Sequence, residues 1–241
     1  MDPAEVFDDD YLYFYEVVLD GERSDRETDV AWRLLGLEPG SEVLDCPCGY
    51  GRIANRLASR GARVTGVDAT PLFLERARAD AAARGVDVEY VEGDMRDLPW
   101  AGRFDAALNW FTSFGYFDDT DNRRVLHAAR RALKSGGRFA VETINRDGLA
   151  ARLHPWNVTE RDDDLMIDRL SLDPVSGRME NERIVVRGGT VRRFPWSVWA
   201  PTFGELRDRL LDAGFSTVEA FGADGGELTR DHRRLIAVAT A

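Results

Sequence analysis

Residues 43–54 read VLDCPCGYGRIA. Val43 to Cys46 is an apolar run of the length of a buried strand, with an acid, Asp45, near its end. A loop carrying Gly49 and Gly51 follows. Tyr50 to Arg60 then puts Ile53, Ala54, Leu57 and Ala58 on one helical face, and Gly61 ends the helix. A strand, a glycine loop and a helix start together make an anion and nucleotide site. Glycines let the backbone approach a ligand with no Cβ in the way, and the helix directs free N–H groups and its positive dipole end at it. Asp45 is placed to accept a hydrogen bond or attract a cation. A second acid, Asp68, closes the next strand, Val64 to Val67, just before Ala69. There it can take two ribose hydroxyls as a bidentate acceptor.

Outward from this segment, short apolar strands alternate with helices. Thr70 and Pro71 open a helix that runs to Arg84 and stops at Gly85. Val86 to Val91 and Phe104 to Asn109 read as strands three and four. Asp121 to Lys134 carries Val125, Leu126, Ala129, Ala132 and Leu133 at helical spacing, and Arg138 to Thr143 is a fifth strand. The alternation predicts a parallel sheet covered by helices. Three alternating strands from Asp164 to Trp199, around turns at Asp173–Gly177 and Gly188–Gly189, predict an antiparallel insertion. Thr202 and Glu205 form a capping box for a helix with Phe203, Leu206, Leu210 and Leu211 inward, and Phe215 to Phe221 and Leu235 to Thr240 are the last strands. Ahead of the core lie helices at Tyr11 to Leu19 and, capped by Ser24 with Glu27, up to Leu35. The expectation is one domain over 1–241: a helical cap (1–40), a nucleotide-binding core (41–145), the insertion (164–199) and a C-terminal helix with strands (201–241).

Composition narrows the class. A chain of 241 residues, 44% hydrophobic, builds one sizeable core. Its net charge of −11 repels phosphate backbones, which argues against bulk nucleic-acid binding. Cys46 and Cys48 are the two cysteines, too close for a routine disulfide and too few for a zinc site, so they read as small residues of the turn in a reducing, cytoplasmic setting. The acidic start MDPAEVFDDDYLYFYE is no signal peptide, and no apolar run reaches membrane-spanning length. Asp8–Asp10 and Asp162–Asp164 read as solvated charge runs, and no metal-ligand cluster stands out.

The glycine segment alone leaves two readings open. Gly49-x-Gly51-x-x-Ala54 also fits the dinucleotide fingerprint, with Asp68 as the ribose acid. Two features separate them. The fingerprint's first glycine follows directly as the strand ends, whereas Asp45, Cys46, Pro47 and Cys48 intervene here. The third strand also leads into Glu92-Gly93-Asp94-Met95, an acid for an exocyclic amine beside an apolar side chain for an adenine ring. Taken in order, VLDCPCGYGR, VTGVDAT, VEGDMRDLPW and FDAALNWFTSFGYF resemble the successive motifs of class I S-adenosylmethionine-dependent methyltransferases. That resemblance implies a Rossmann-like α/β fold, a seven-stranded mostly parallel sheet with helices on both faces. It implies S-adenosylmethionine as cofactor and S-adenosylhomocysteine as product. Asp45 with the Cys46, Cys48, Gly49 and Gly51 loop would surround the methionine portion, Asp68 and Ala69 the ribose, and Asp94 and Met95 the adenine. Asn109 and Trp110 would lie beside the sulfonium. Tyr11 or Tyr15, in an N-terminal helix closing over the cofactor, would contact the methionine end. Pro47 stands where the family commonly has Gly, and it removes an N–H and fixes φ.

The acceptor is expected to be a small molecule methylated on nitrogen or oxygen, by a monomer or homodimer. Phe114, Tyr116, Trp156, Arg193 and Trp196 are its candidate contacts. A hydroxyl acceptor usually needs a base; His154, Glu142 and Asn145 are the candidates, whereas His127 and His232 read as structural or solvated. A protein or RNA substrate is the second reading and a dinucleotide oxidoreductase a distant third; Asn109-Trp110-Phe111-Thr112 is not an Asn-Pro-Pro-Tyr tetrapeptide.

Overall fold

The computed structural model describes residues 6–241. Seven strands form one sheet: β1 (Glu42–Asp45), β2 (Arg63–Asp68), β3 (Val88–Glu92), β4 (Phe104–Asn109), β5 (Leu133–Ile144), β10 (Thr217–Gly222) and β11 (Arg234–Thr240). Their order is β10-β11-β5-β4-β1-β2-β3. Only β11 runs against its neighbours, pairing antiparallel with both β5 and β10. The order reverses between β1 and β4, which pair in parallel. Ligands bind at such a switch point, outside the carboxyl ends of the strands. Side-chain alternation along each strand divides the core in two. On β11, Leu235, Ala237 and Ala239 face one cluster with α5 (Asp119–Ala132) and α7 (Phe203–Asp212). Ile236 and Val238 face the other, with α2 (Gly21–Leu35) and α3 (Ala54–Ser59).

Between β2 and β3 lies α4 (Pro71–Arg84), with Pro71 in its first turn and Gly85 left-handed at its end, as its sequence predicts. The capping box of Thr202 and Glu205 is also present. Several ends shift by a few residues, the fifth strand starting already at Leu133 where the preceding helix was expected to run to Lys134, and four further features differ from expectation. The helix after the glycine loop begins only at Ala54, because residues 51–53 are turn. Helix α2 is capped by Asp20, whose carboxylate accepts from the Arg23 N–H, while Ser24 sits buried inside it. Leu211 is 42% exposed, so α7 points Leu206 and Leu210 inward without it. The insertion has four strands: β6 (Trp156–Arg161) precedes β7 (Asp164–Leu172), β8 (Arg178–Arg187) and β9 (Thr190–Trp199). The short helix α6 (Arg146–Arg152) leads into it from β5.

The insertion is bonded to the core beside the β4 carboxyl end. Trp199 N–H donates to the Gly115 carbonyl at 2.9 Å, and Arg178 donates to the carbonyls of Tyr116 and Phe117. Helix α1 (Asp9–Val18) bridges core and insertion. Its Asp8–Asp10 run is not merely solvated: Arg187 reaches Asp9 at 2.7 Å and Asp10 at 2.8 Å, and Arg192 reaches Asp8 at 2.5 Å and Asp10 at 2.6 Å. In the second run, Asp162 accepts from the Tyr13 hydroxyl and Asp164 from the Gly188 N–H.

Candidate active site

A chamber of about 290 Å³ opens at the carboxyl ends of β1, β2 and β4. The glycine loop forms its floor. Gly49 has φ +54°, so its N–H can turn back to donate to Asp68 Oδ2 at 2.8 Å. Asp68 Oδ1 accepts from the Thr70 N–H at 2.9 Å. The carboxylate is thereby fixed with its remaining lone pairs free for a ligand, and burial raises its pKa against those backbone donors. Gly51 works differently. Its φ is +79°, and a Cβ there would collide with the Tyr90 hydroxyl and Ala77, so this glycine packs the loop against α4 and β3 and does not line the chamber.

Asp45 is 2% exposed on the chamber wall. Burial pushes its carboxyl up to about 8, with Arg52 lowering and Asp68 raising it. Among the described residues no ion pair to Asp45 forms, because Arg52 is engaged by Glu27 at 2.6 Å. An acid held this way is suited to a cationic ligand group. Asp94, Met95, Ala69, Thr70 and Phe117 line the opposite end. Asp94 is gripped by Arg96 at 2.5 Å, which holds its carboxyl below the usual carboxylate range. The Cys46–Pro47 peptide is cis, and Cys46, Pro47 and Cys48 all line the chamber, both thiols free and buried. The donor set fits S-adenosylmethionine: a buried acid without a counter-ion, a ribose-type acid held by backbone donors, and an apolar slot beside Met95.

Next to it lies a second chamber of about 180 Å³, lined by Tyr11, Tyr15, Phe111, Thr112, Tyr116, Ile144, Asp168, Arg183, Trp196 and Arg234 among others. Phe7, Tyr11, Phe111, Ser113 and Tyr116 border both chambers. The shared wall is built by an unusual turn after β4. Phe111 and Thr112 both have φ +59°, a left-handed conformation costly for non-glycine residues. Glu142 holds it: its Oε2 accepts from the Phe111 N–H at 2.7 Å and its carbonyl from the Thr112 N–H at 3.0 Å. Arg234 binds both oxygens of Glu142 from the other side.

These positions sort the sequence-based candidates. Tyr11, Asp45, Cys46, Cys48, Gly49, Asp68, Ala69, Asp94, Met95 and Trp110 converge on the first chamber. Tyr15 and Trp196 line the second, and Tyr116 borders both. Asn109 is buried behind the wall, its amide donating to the Cys46 carbonyl at 3.1 Å and to Met95 Sδ at 3.6 Å. Other candidates are placed elsewhere. Phe114 is 1% exposed in the core, edge-on to Trp199. Trp156 is 53% exposed on β6 under the Arg169 guanidinium, and Arg193 is exposed on β9. His154 is exposed in the loop before β6, lining neither chamber. Glu142 is engaged by Arg234 and the turn and lines neither chamber, so it positions backbone and is not placed as a base. Asn145 donates to the carbonyls of Thr229 and His232, tying β5 to the loop before β11.

Residues 43–137 match a family model described as methyltransferase domain. That family uses S-adenosylmethionine. The chain is 35% identical over 112 residues to the ubiquinone biosynthesis O-methyltransferase of Klebsiella pneumoniae, covering 46% of this chain and 46% of that protein. The chain spans about half the length of the curated relatives it matches. Among solved structures, the CcbJ methyltransferase of Streptomyces caelestis superposes with a TM-score of 0.77 at 24% identity, covering 90% of each chain. CalS10, an amino pentose methyltransferase from Micromonospora echinaspora, gives 0.68 at 24% identity over 94% of this chain and 95% of its own. At these identities the likeness is one of fold, and it extends through the insertion.

Sequence reasoning missed the Asp168–Arg183 pair, Arg234 and the Glu27–Arg52 link. One signal was present. Asp168 shares the inward register of Met166 on β7, and Arg183 that of Met179 and Val185 on β8, so charges stand where the alternation demands apolar residues.

Proposed function

We propose that this methyltransferase moves a methyl group from S-adenosylmethionine to an oxygen or nitrogen of a small molecule seated in the second chamber. The observation that carries the reading is the shared wall: Tyr11, Phe111, Ser113 and Tyr116 border both chambers, so a donor in one and an acceptor in the other meet across it. Asp45 would pair with the ammonium of the cofactor's methionine portion, Asp68 would take the ribose hydroxyls, and Asp94, Met95 and Phe117 would frame the adenine. Bound there, the cofactor supplies a sulfonium-activated methyl carbon. The chain's own part is positioning and exclusion of water. The aromatic wall of Tyr11, Tyr15, Phe111 and Tyr116 presents ring faces suited to a positive charge. Glu142 and Arg234 fix the turn that carries Phe111 and Thr112. Two proteins that share the fold, an amino pentose methyltransferase and a sugar N-methyltransferase, support a small acceptor, and so does the size of the second chamber. On this reading cap, core, insertion and C-terminal strands work as one domain, both chambers are complete within one chain, and the free thiols suit the cytoplasm. Thermal melting tests it. S-adenosylhomocysteine should raise the melting temperature by several degrees and NAD should not; stabilisation by NAD alone overturns the proposal.

A further inference from the structure

The second chamber combines flat aromatic walls with an excess of hydrogen-bond donors. Arg183 binds Asp168 through Nε at 2.7 Å and Nη2 at 3.0 Å, and Nη2 also donates to the Tyr15 hydroxyl at 3.0 Å. Arg234 binds Glu142 through Nε and Nη2. In both guanidinium groups Nη1 has no protein partner among the described residues. Two more polar atoms on the chamber wall, Trp196 Nε1 and Thr112 Oγ1, are buried with no partner. Thr112 is 8% exposed. Orphaned donors in a buried site cost free energy until a ligand accepts from them.

The opposite is true of acceptors. Asp168 and Glu142, the carboxylates at and behind this wall, are both taken by arginine. Tyr11 and Tyr116 have their phenols pushed up by burial, so they stay protonated as donors. The remaining hydroxyls there belong to Tyr15, which accepts from Arg183, to Thr112, and to Ser113, which donates to the Trp110 carbonyl at 2.8 Å. No histidine lines the chamber. An ammonium entering it would meet two guanidinium groups and, among the described residues, no free carboxylate. A group carrying lone pairs and negative charge would meet four unengaged donor sites. The stacked rings of Tyr11 and Tyr15, 4.2 Å apart, and the tilted pair Tyr116 and Trp196, 5.9 Å apart, give this chamber of about 180 Å³ flat aromatic faces.

We infer that the acceptor is a small planar ring whose reacting O–H or N–H is acidic, a phenol, enol or imide, and that the chamber takes it as its anion between Arg183 and Arg234, with Trp196 and Thr112 donating to it. The inference rests on the proposed methyl transfer. It also explains how that transfer proceeds with no free base among the described residues of the chamber. Hydrogen bonds from two guanidinium groups, Trp196 and Thr112 favour the charged form and so lower the pKa of a bound acid, and the acceptor loses its proton to solvent on entry. Its lone pair then forms the new bond to the methyl carbon as that carbon's bond to sulfur breaks, the electron pair staying on sulfur. An anion and a sulfonium give two neutral groups.

The test uses 4-nitrophenol, whose ionisation is read by absorbance, and cyclohexylamine, added to the full chain saturated with S-adenosylhomocysteine. Bound 4-nitrophenol should titrate about one to three pH units below the free probe, and it should bind where cyclohexylamine does not. Trp196→Phe should weaken its binding about tenfold or more through loss of one charge-assisted donor. An unshifted titration, a preference for the amine, or binding of neither probe overturns the inference. Failure of S-adenosylhomocysteine to bind, measured first in the same sample, would instead overturn the proposed function itself.

Discussion

At the residue scale, two carboxylates of the first chamber differ in their partners, and this sets what each does. Asp68 is fixed by two backbone donors and keeps lone pairs for a ribose. Asp68→Ala removes two charge-assisted hydrogen bonds of roughly 1.5–3 kcal/mol each, so calorimetry should show S-adenosylhomocysteine bound about a hundredfold more weakly; unchanged affinity would refute the ribose assignment. Asp45 is buried, with its carboxyl raised from 3.8 to about 8. The folded state therefore binds more protons than the unfolded one between those values, and the group's contribution to stability, full at low pH, is lost as pH rises towards about 8. The unliganded protein should melt lower at pH 8 than at pH 6, and Asp45→Asn should flatten that slope. Pairing with a ligand ammonium favours the charged carboxylate, so affinity for S-adenosylhomocysteine should rise over the same interval in the wild type and not in Asp45→Asn. Both acids were legible in the sequence because each ends a parallel strand. The roles given to Glu142 and Asn145 were not, because their partners, Arg234 and the carbonyls of Thr229 and His232, come from more than eighty residues away in the chain.

At the element scale, the strand–loop–helix unit depends on Gly51, which does not line the chamber. Gly51→Ala would put a side chain against Tyr90 at φ +79°, so denaturant unfolding should show a loss of at least about 1–2 kcal/mol. Glu142→Ala removes the clamp on the Phe111–Thr112 turn and leaves Arg234 buried and unpaired, which costs about 3–5 kcal/mol; a variant as stable as the wild type would mean that the turn is held by something else. The core elements were readable because burial imposes period: alternating faces on β11, helical spacing on α5, a proline and a glycine bracketing α4. Strand β6 was not. Trp156, Asn157 and Val158 are all exposed, so no apolar face marks it, and it exists by pairing with β7. The Ser24 cap failed for a local reason: Asp20, four residues earlier, is the better acceptor for an N-terminal N–H, and the helix starts there.

At the scale of the whole molecule, the core holds the first chamber while the second is closed by α1 and the insertion. Those two are joined by charge. Asp8, Asp9 and Asp10 meet Arg187 and Arg192, and Arg161 reaches Glu16 at 3.0 Å while lying over the Tyr13 ring. Single exposed pairs contribute little, about 0–1 kcal/mol each, yet a network of one sign against the other responds jointly to screening. Raising the salt from low ionic strength to about 1 M should speed amide exchange in Asp9–Val18 while β1 and β4 stay protected, as read by mass spectrometry. Equal protection at both salts would show that apolar packing of Phe14 against Met166 and Val185 carries the docking. The central claim is that the chamber at the carboxyl ends of β1, β2 and β4 binds an adenosyl sulfonium through Asp45 and Asp68. A crystal structure of the complex with S-adenosylhomocysteine tests it most directly. The ribose hydroxyls should lie within hydrogen-bonding distance of the Asp68 carboxylate, with the amino group at Asp45 and the sulfur beside the Tyr11–Phe111–Tyr116 wall. A ligand bound elsewhere, or one whose ribose turns away from Asp68, would contradict it.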